Sequence, residues 1–529
     1  MPESWDAEAD VVIVGFGGAG ACAAIEAADR GADVLVVDRF DGGGATAISG
    51  GVVYAGGGTV YQKEAGFEDS VQAMLDYLRL EAGDAVTDAT LERFCADSVR
   101  NLEWLAEQGV PFEGSMAPRK TSYPTNDYYL YYSGSESVPP FRDVAPPAPR
   151  GHRAKGRGTS GKVLFAALRQ AVRRREIRVW PQTSATGLIT DDDGRVIGLE
   201  CREIPRKAVV ARLAHRWMSR WNRKLNIYYR PAGKLMDGPI RRLEAKHGIT
   251  RRLRARRGVI LAAGGFVFNR KMLAEYAPEY RGGSSLGTIA DDGSGIRLGE
   301  SVGGATARMH RVSAWRFFNP PFALVEGVLV NREGGRLCNE LCYGARIGDH
   351  IVRQSGAEAH LIVDQRIVDE AKAQVPDQTL WFQRWQAAYL FRLGHVKADT
   401  IEELAERTGI DREGLRRAID TYNADARAGR DDAMGKDAEH VHPIDRGPYY
   451  AFDCSLRAKR GYPCPMITLG GLTVDEESGA VTRADGSAVP GLYAAGRTAV
   501  GVCSESYVSG LSIADCVFSG RRAGASVSG

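Results

Sequence analysis

The start of the chain restricts its fold more than any other segment. Ala9-Asp-Val-Val-Ile-Val-Gly15 is a short apolar strand, and Gly15-Phe-Gly17-Gly18-Ala19-Gly20 follows it at once. An alanine-rich helical run then reaches Arg30, and Asp33-Val-Leu-Val-Val-Asp38 is a second strand. A G-x-G-x-x-G that closes a strand and opens a helix, with an acid about 20 residues on, marks a dinucleotide-binding βαβ unit. Gly15 makes the tight turn, Gly17 lets backbone touch a pyrophosphate, and Gly20 lets helix and strand pack closely. Gly18 and Ala19 complete the loop, and the helix N-terminus offers N–H groups to the phosphates. Asp38, with Arg39 beside it, is placed to accept hydrogen bonds from an adenosine ribose.

Length and composition exclude several classes. The 529 residues are enough for about three domains, and 44% hydrophobic with 26% charged residues is ordinary globular material, not a disordered chain or coiled coil. Glycine is in excess, 63 residues or about 12% against a typical ~7%, and it clusters in tight runs. The longest uncharged stretch, 42–62, holds eight glycines and makes a poor membrane helix. Nine cysteines without any C-x-x-C point to a reducing compartment. Cys338 and Cys342 lack a histidine pair, so no metal is expected. Acidic Met1–Asp10 has no signal-like apolar run, and the expectation is a cytoplasmic enzyme.

Further blocks carry a resemblance. They are Gly42-Gly-Gly44-Ala45-Thr46-Ala-Ile-Ser49-Gly50-Gly51, Arg257-Gly-Val-Ile-Leu-Ala-Ala263-Gly264-Gly265, Thr468-Leu-Gly-Gly-Leu-Thr-Val-Asp475 and Pro490-Gly-Leu-Tyr-Ala-Ala-Gly496-Arg497. In this order they resemble the flavoproteins of the succinate dehydrogenase/fumarate reductase family. That resemblance implies an α/β fold, with a Rossmann-like FAD-binding domain assembled from both chain ends (1–309 and 447–529). An inserted α+β substrate, or capping, domain would occupy 310–446. It also implies FAD contacts from the glycine loop, from Asp38 and Arg39, and from Gly44, Ala45, Thr46, Ser49, Gly50 and Gly51. Ala185 would meet the adenine edge, and Ala263, Gly264, Gly496, Arg497, Gly510, Ser512 and Ile513 would complete the site. Ala45 stands where covalent-flavin members carry histidine, so the FAD should be non-covalent.

The segment 501–515 carries the chemistry. Ser512 followed by Asp515 has a capping-box pattern, and Leu511, Ala514, Val517 and Phe518 give the helix an apolar face. Tyr507-Val-Ser509-Gly510 narrows the resemblance to the 3-ketosteroid Δ4-(5α)-dehydrogenases. By that resemblance Ser509 takes the C4 proton, Tyr507 holds the C3 ketone oxygen, flavin N5 takes the C5 hydride, and Tyr343 relays the proton. The chemistry is coherent, because a ketone acidifies its neighbouring C–H and a donor at its oxygen stabilises the enolate. The alternatives are other C=C oxidoreductases of the family: a Δ1-desaturase, a 5α-reductase, or a fumarate-reductase-like enzyme using Arg346, His310 and His350. Trp315, Phe317, Phe318 and Phe322 either wall a cavity for a hydrophobic steroid or pack a core, and so does Tyr128–Tyr132. The electron acceptor is not legible.

One segment stands apart in charge. Residues 203–257 hold 17 Lys+Arg and 3 Asp+Glu, +14 within a chain of +3. Val210, Leu213, Ala214, Trp217, Trp221 and Leu225 recur at helical spacing among arginines. That is a basic amphipathic helix suited to an anionic membrane surface, unless it packs on its own protein. No nucleic-acid partner is expected, and peripheral contact through 207–250 with the inner face of the cell membrane is.

Overall fold

The computed structural model describes residues 4–228 and 230–529, with no side-chain description for 227, 228 and 231. Its main sheet has eight strands: β1 (Ala7–Val14), β2 (Val34–Asp38), β3 (Arg178–Pro181), β4 (Thr183–Thr190), β5 (Val196–Glu203), β6 (Ile249–Leu261), β7 (Ala480–Thr482) and β8 (Ala488–Ala494). Their order is β7-β8-β6-β1-β2-β3, and β5 pairs with both β6 and β4. The β8-β6-β1-β2-β3 run is parallel, and at its centre Val11–Val14 of β1 and Val34–Val37 of β2 are buried apolar runs covered on both faces. Both chain ends build this sheet, as the resemblance implied.

Helix α1 (Gly18–Asp29) covers one face together with the last helix of the chain. Four further helices matter for the site: α2 (Gly161–Arg174), α3 (Val209–Tyr228), α4 (Arg230–His247) and α5, that last helix (Leu511–Ser528). Small residues let α5 lie close on α1. A Cβ at Gly520 would fall 2.5 Å from the Ala19 carbonyl oxygen. The capping-box expectation is overturned. The N-cap of α5 is Gly510, in the left-handed region at φ 92°, with no side-chain cap. Ser512 lies inside the first turn. The buried Asp515 carboxylate instead accepts from the Val502 amide at 3.4 Å, and burial pushes its pKa up to about 6.

A second, antiparallel sheet runs in the order Val328–Val330, His360–Asp364, Tyr449–Asp453, His395–Ala398. The division at 446/447 therefore needs correction. Tyr449–Asp453 is flanked on both edges by strands of this second sheet, so the return to the first lobe comes after Asp453. A third, small sheet orders Val52–Tyr54, Gly151–Arg153 and Leu130–Tyr131. Fully buried Arg153 ties it down, with its guanidinium donating to Ser160 Oγ and to the Pro124, Gly156 and Gly158 carbonyls.

The 203–257 segment forms the α3–α4 hairpin and leads into β6. Part of its charge is spent inside the fold. Arg251, Arg254 and Arg256 on β6 pair with Asp6, Glu8 and Asp10 at or just before β1. Among the described residues, no helix is long and apolar enough to cross a membrane.

Candidate active site

The glycine loop behaves as its spacing predicts. Gly15 has φ 103°, and a Cβ there would meet the Ala262 carbonyl oxygen at 2.4 Å. A Cβ on Gly20 would sit 1.9 Å from the Gly15 carbonyl oxygen. A Cβ on Gly17 meets nothing within 4 Å. The turn and the strand–helix contact are therefore filled, while the space in front of Gly17 is open. Ala19 is buried in the core that α1 and α5 share.

The second glycine run folds back on the first. Gly18 N donates to Thr46 Oγ1 at 3.0 Å, and the Cβ position of Gly44 is 3.7 Å from Gly17 Cα. Ala45 starts the short helical turn Thr46–Ile48. Ser49 Oγ donates to the Thr46 carbonyl at 2.8 Å and accepts from Gly51 N at 3.1 Å. The Gly50 carbonyl accepts from Tyr123 Oη at 2.7 Å. Gly496 N donates to Ser519 Oγ, and the Gly264 carbonyl accepts from Thr498 Oγ1. Arg497 is buried and donates to Asp291 at 2.7 Å, but its Nη1 has no protein partner. A buried cationic donor left over beside the loop fits a dinucleotide phosphate.

Asp38 ends β2 and accepts from the Phe16, Phe40 and Gly42 amides at 2.8, 2.8 and 3.1 Å. Three bonds leave a carboxylate with acceptor capacity for a ribose. Two expected contacts sit differently. Arg39 is already committed, bonding Glu244 through two nitrogens at 2.9 and 3.0 Å and Asp292 at 3.1 Å. Ala185 packs beside the core with Trp180 and Leu188, whereas its strand neighbours Ser184 and Thr186 line a small cavity with Arg39. Strand alternation separates them. Ala263 packs on the same core, and Ile513 is buried in that of α5.

The far end of the site is built from phenols around a serine. Tyr507–Ser509 forms no strand, yet it alternates like one: Val508 is fully buried in the core, and its two neighbours are partly open. Ser509 Oγ lies 3.0 Å from Tyr131 Oη, and Tyr343 is close enough to Ser509 for the serine to lower its pKa. The Gly510 backbone acts on the Tyr507 hydroxyl in the same direction. Tyr343 stands just before helix Gly344–Val352, and its amide donates to buried Ser135 Oγ at 3.0 Å. Burial pushes the Tyr131, Tyr343 and Tyr507 phenols above the ordinary tyrosine range, more than the neighbouring Ser509 or Gly510 groups lower them. All three are therefore neutral donors at neutral pH.

Tyr131 is the residue that spacing missed. It sits in the aromatic run 128–132 but meets Ser509 only because Leu130–Tyr131 pairs with Gly151–Arg153. Two of the four expected wall residues reach the site. Trp315 stacks on Tyr507 with ring centroids 4.9 Å apart, and Phe317 packs on Tyr343 at 5.6 Å. Phe318 and Phe322 belong to the second lobe's core. Arg346 is drawn to Glu81 at 3.5 Å and lies over Phe141, so it is not presented as a carboxylate anchor.

Residues 10–507 match the FAD binding domain family. The chain is 38% identical over 504 residues to the 3-oxo-5-alpha-steroid 4-dehydrogenase of Comamonas testosteroni, covering 93% of each protein. It is similar to the crystal structure of the 3-ketosteroid-delta4-(5alpha)-dehydrogenase of Rhodococcus jostii RHA1 in complex with 4-androstene-3,17-dione. The TM-score is 0.83 and the identity 34%, over 100% of this chain and 98% of that one. The 3-ketosteroid delta1-dehydrogenase of Sterolibacterium denitrificans shares the fold, with a TM-score of 0.69 and 21% identity over 98% of this chain and 99% of that one. Matched from end to end by such relatives, the chain belongs to the FAD-dependent oxidoreductase family of the 3-oxo-5-alpha-steroid 4-dehydrogenases.

Proposed function

We propose that this enzyme desaturates the C4–C5 bond of a 3-ketosteroid, with Ser509 as base and Tyr507 at the ketone oxygen. The observation that carries the reading is Ser509 Oγ hydrogen-bonded to the buried Tyr131 phenol, with the buried Tyr343 phenol close by. The substrate named for the Comamonas and Rhodococcus relatives supports it. When bound, FAD accepts the hydride released as the double bond forms.

The protein's own residues handle the proton and the developing charge. Loss of the C4 proton moves charge onto the ketone oxygen, where a neutral phenol donor stabilises it. A serine hydroxyl is a weak base and takes a proton only while passing its own to a neighbour. Tyr343 and Tyr131 flank Ser509 for that relay. Trp315 and Phe317 brace Tyr507 and Tyr343 with apolar surface, matching a steroid better than a dicarboxylate.

Anaerobic mixing with a 5α-saturated 3-ketosteroid should bleach the visible flavin band and yield the 4-ene ketone. A 1-ene product, or bleaching reversed by fumarate alone, would overturn the assignment. Tyr507→Phe should lower kcat about 10²–10³-fold, the usual cost of one oxyanion donor. Unchanged steady-state kcat would remove Tyr507 from that role.

We propose as well that α3 rests on an anionic membrane. Its outer face exposes Val210 at 81%, Leu213 at 59%, Trp217 at 59% and Trp221 at 44%, interleaved with Arg216 and Arg220. Large apolar side chains flanked by cations are suited to a lipid interface. The enzyme should cosediment with phosphatidylglycerol vesicles at low salt and not with phosphatidylcholine vesicles. Replacing Leu213, Trp217 and Trp221 by serine should abolish this, and equal sedimentation of wild type and variant would count against a lipid contact.

A further inference from the structure

The α3–α4 hairpin turns its polar side inward. His215 is fully buried and Asn222 is 2% exposed, whereas the apolar residues of α3 face out. Buried polar groups need partners: Asn222 donates across the hairpin to the Gly233 carbonyl at 3.0 Å and Asp237 Oδ1 at 2.7 Å, and His215 finds its partners beside the end of β2. Gln182 N donates to the Phe40 carbonyl at 2.9 Å. Gln182 Nε2 donates to the Arg212 carbonyl at 2.9 Å and lies 3.1 Å from His215 Nδ1. The His215 ring stacks on Phe40 at 5.5 Å, and its Nε2 lies 3.0 Å from Glu244 Oε1. Glu244 grips Arg39, and Arg39 also holds Asp292. Burial raises the Glu244 pKa, but its bonds to His215 and Arg39 outweigh this and keep it an anion. One network thus joins both helices of the hairpin to Arg39 and Phe40, the two residues that follow Asp38.

The same hairpin walls a cavity of about 800 Å³. Asp38 and Gly44 form its floor, Arg169 and Arg173 of α2 one side, and Arg220 and Arg223 of α3 the other. Burial, with neighbouring Arg173 and Arg223, lowers the Arg169 pKa. The cavity therefore carries positive charge that few carboxylates answer, which suits a nucleoside that enters attached to an anionic pyrophosphate.

From this arrangement we infer that the α3–α4 hairpin is a clasp over the adenosine end of bound FAD, latched by His215 and Glu244. The inference rests on the reading that the glycine loop and Asp38 hold the pyrophosphate and ribose. The adenosine enters under α3, and α3 lifts away only when the His215–Glu244–Arg39 contacts break. Disrupting the latch should therefore act on cofactor release, since the rest of the site is untouched.

The test follows FAD release from diluted holoenzyme by the rise in flavin fluorescence. Glu244→Gln and His215→Gln should release FAD at least tenfold faster than wild type with unchanged far-UV circular dichroism. Trp217→Ser, on the outer face of the same helix, should release it at the wild-type rate. Wild-type rates in both folded latch variants would overturn the clasp. Should either variant fail to fold, wild-type protein gives the answer. Amide exchange in 209–247 should speed up at least tenfold once FAD is stripped, and unchanged exchange would overturn the clasp. Gly17→Val separates the two readings. If it loses FAD while the latch variants hold it normally, only the clasp fails, whereas a Gly17→Val protein that keeps FAD removes the site beneath it.

Discussion

Ser509→Ala should remain yellow and lose turnover on a 5α-saturated 3-ketosteroid by about 10²–10⁴-fold, the range for a positioned general base. The substitution removes one hydroxyl from between Tyr131 and Tyr343 and little else. Ser509 is held through its backbone, its amide donating to the Ser133 carbonyl at 3.2 Å, and Val508 beside it stays anchored in the core. The helix cap at Gly510 does not depend on the serine. Flavin content and melting temperature should therefore match wild type, while flavin reduction in a single turnover slows by the full factor. Near-normal reduction would mean that another group takes the C4 proton.

The second large effect separates two glycines three residues apart. Gly17→Val should give folded, colourless protein, because its side chain has free space in the protein alone and would occupy the pyrophosphate's place. Gly20→Val should fail to fold. Even its Cβ would fall 1.9 Å from the Gly15 carbonyl oxygen, which is backbone and cannot move aside. Flavin absorbance and circular dichroism of the two proteins check this together. Soluble, helical, FAD-free Gly17→Val beside insoluble Gly20→Val is the expected pair. A yellow Gly17→Val or a well-folded Gly20→Val would contradict the packing described for the loop.

What the sequence reveals here depends on how local each signal is. The βαβ fingerprint needs only neighbouring residues, so strand, turn, helix and acid are all readable from 9 to 38. Tyr507 and Ser509 share one motif and meet in one place for the same reason. Tyr131 could not be singled out, since it reaches Ser509 across 378 positions through a strand of two residues. The second-sheet strand Tyr449–Asp453 was misplaced because its pairing partners, not its own residues, decide which lobe owns it. The amphipathic reading of α3 found the right periodicity. It could not tell which face is buried, because that depends on polar partners as distant as Gln182 and Glu244.

The joining of both chain ends in one sheet also governs when the protein becomes competent during synthesis. The glycine loop leaves the ribosome long before α5, and α1 lacks much of its cover until α5 is made. Likewise β6 has a bare edge until β8 pairs with Val259–Leu261. Ser509 and Tyr507 arrive in that same final stretch. A chain that stops short of residue 488 therefore exposes an apolar helix face and an unpaired strand edge, both prone to aggregation and proteolysis. Residues 488–528 thus act as a check on the fold, since a chain without them has neither its proposed base nor a closed sheet.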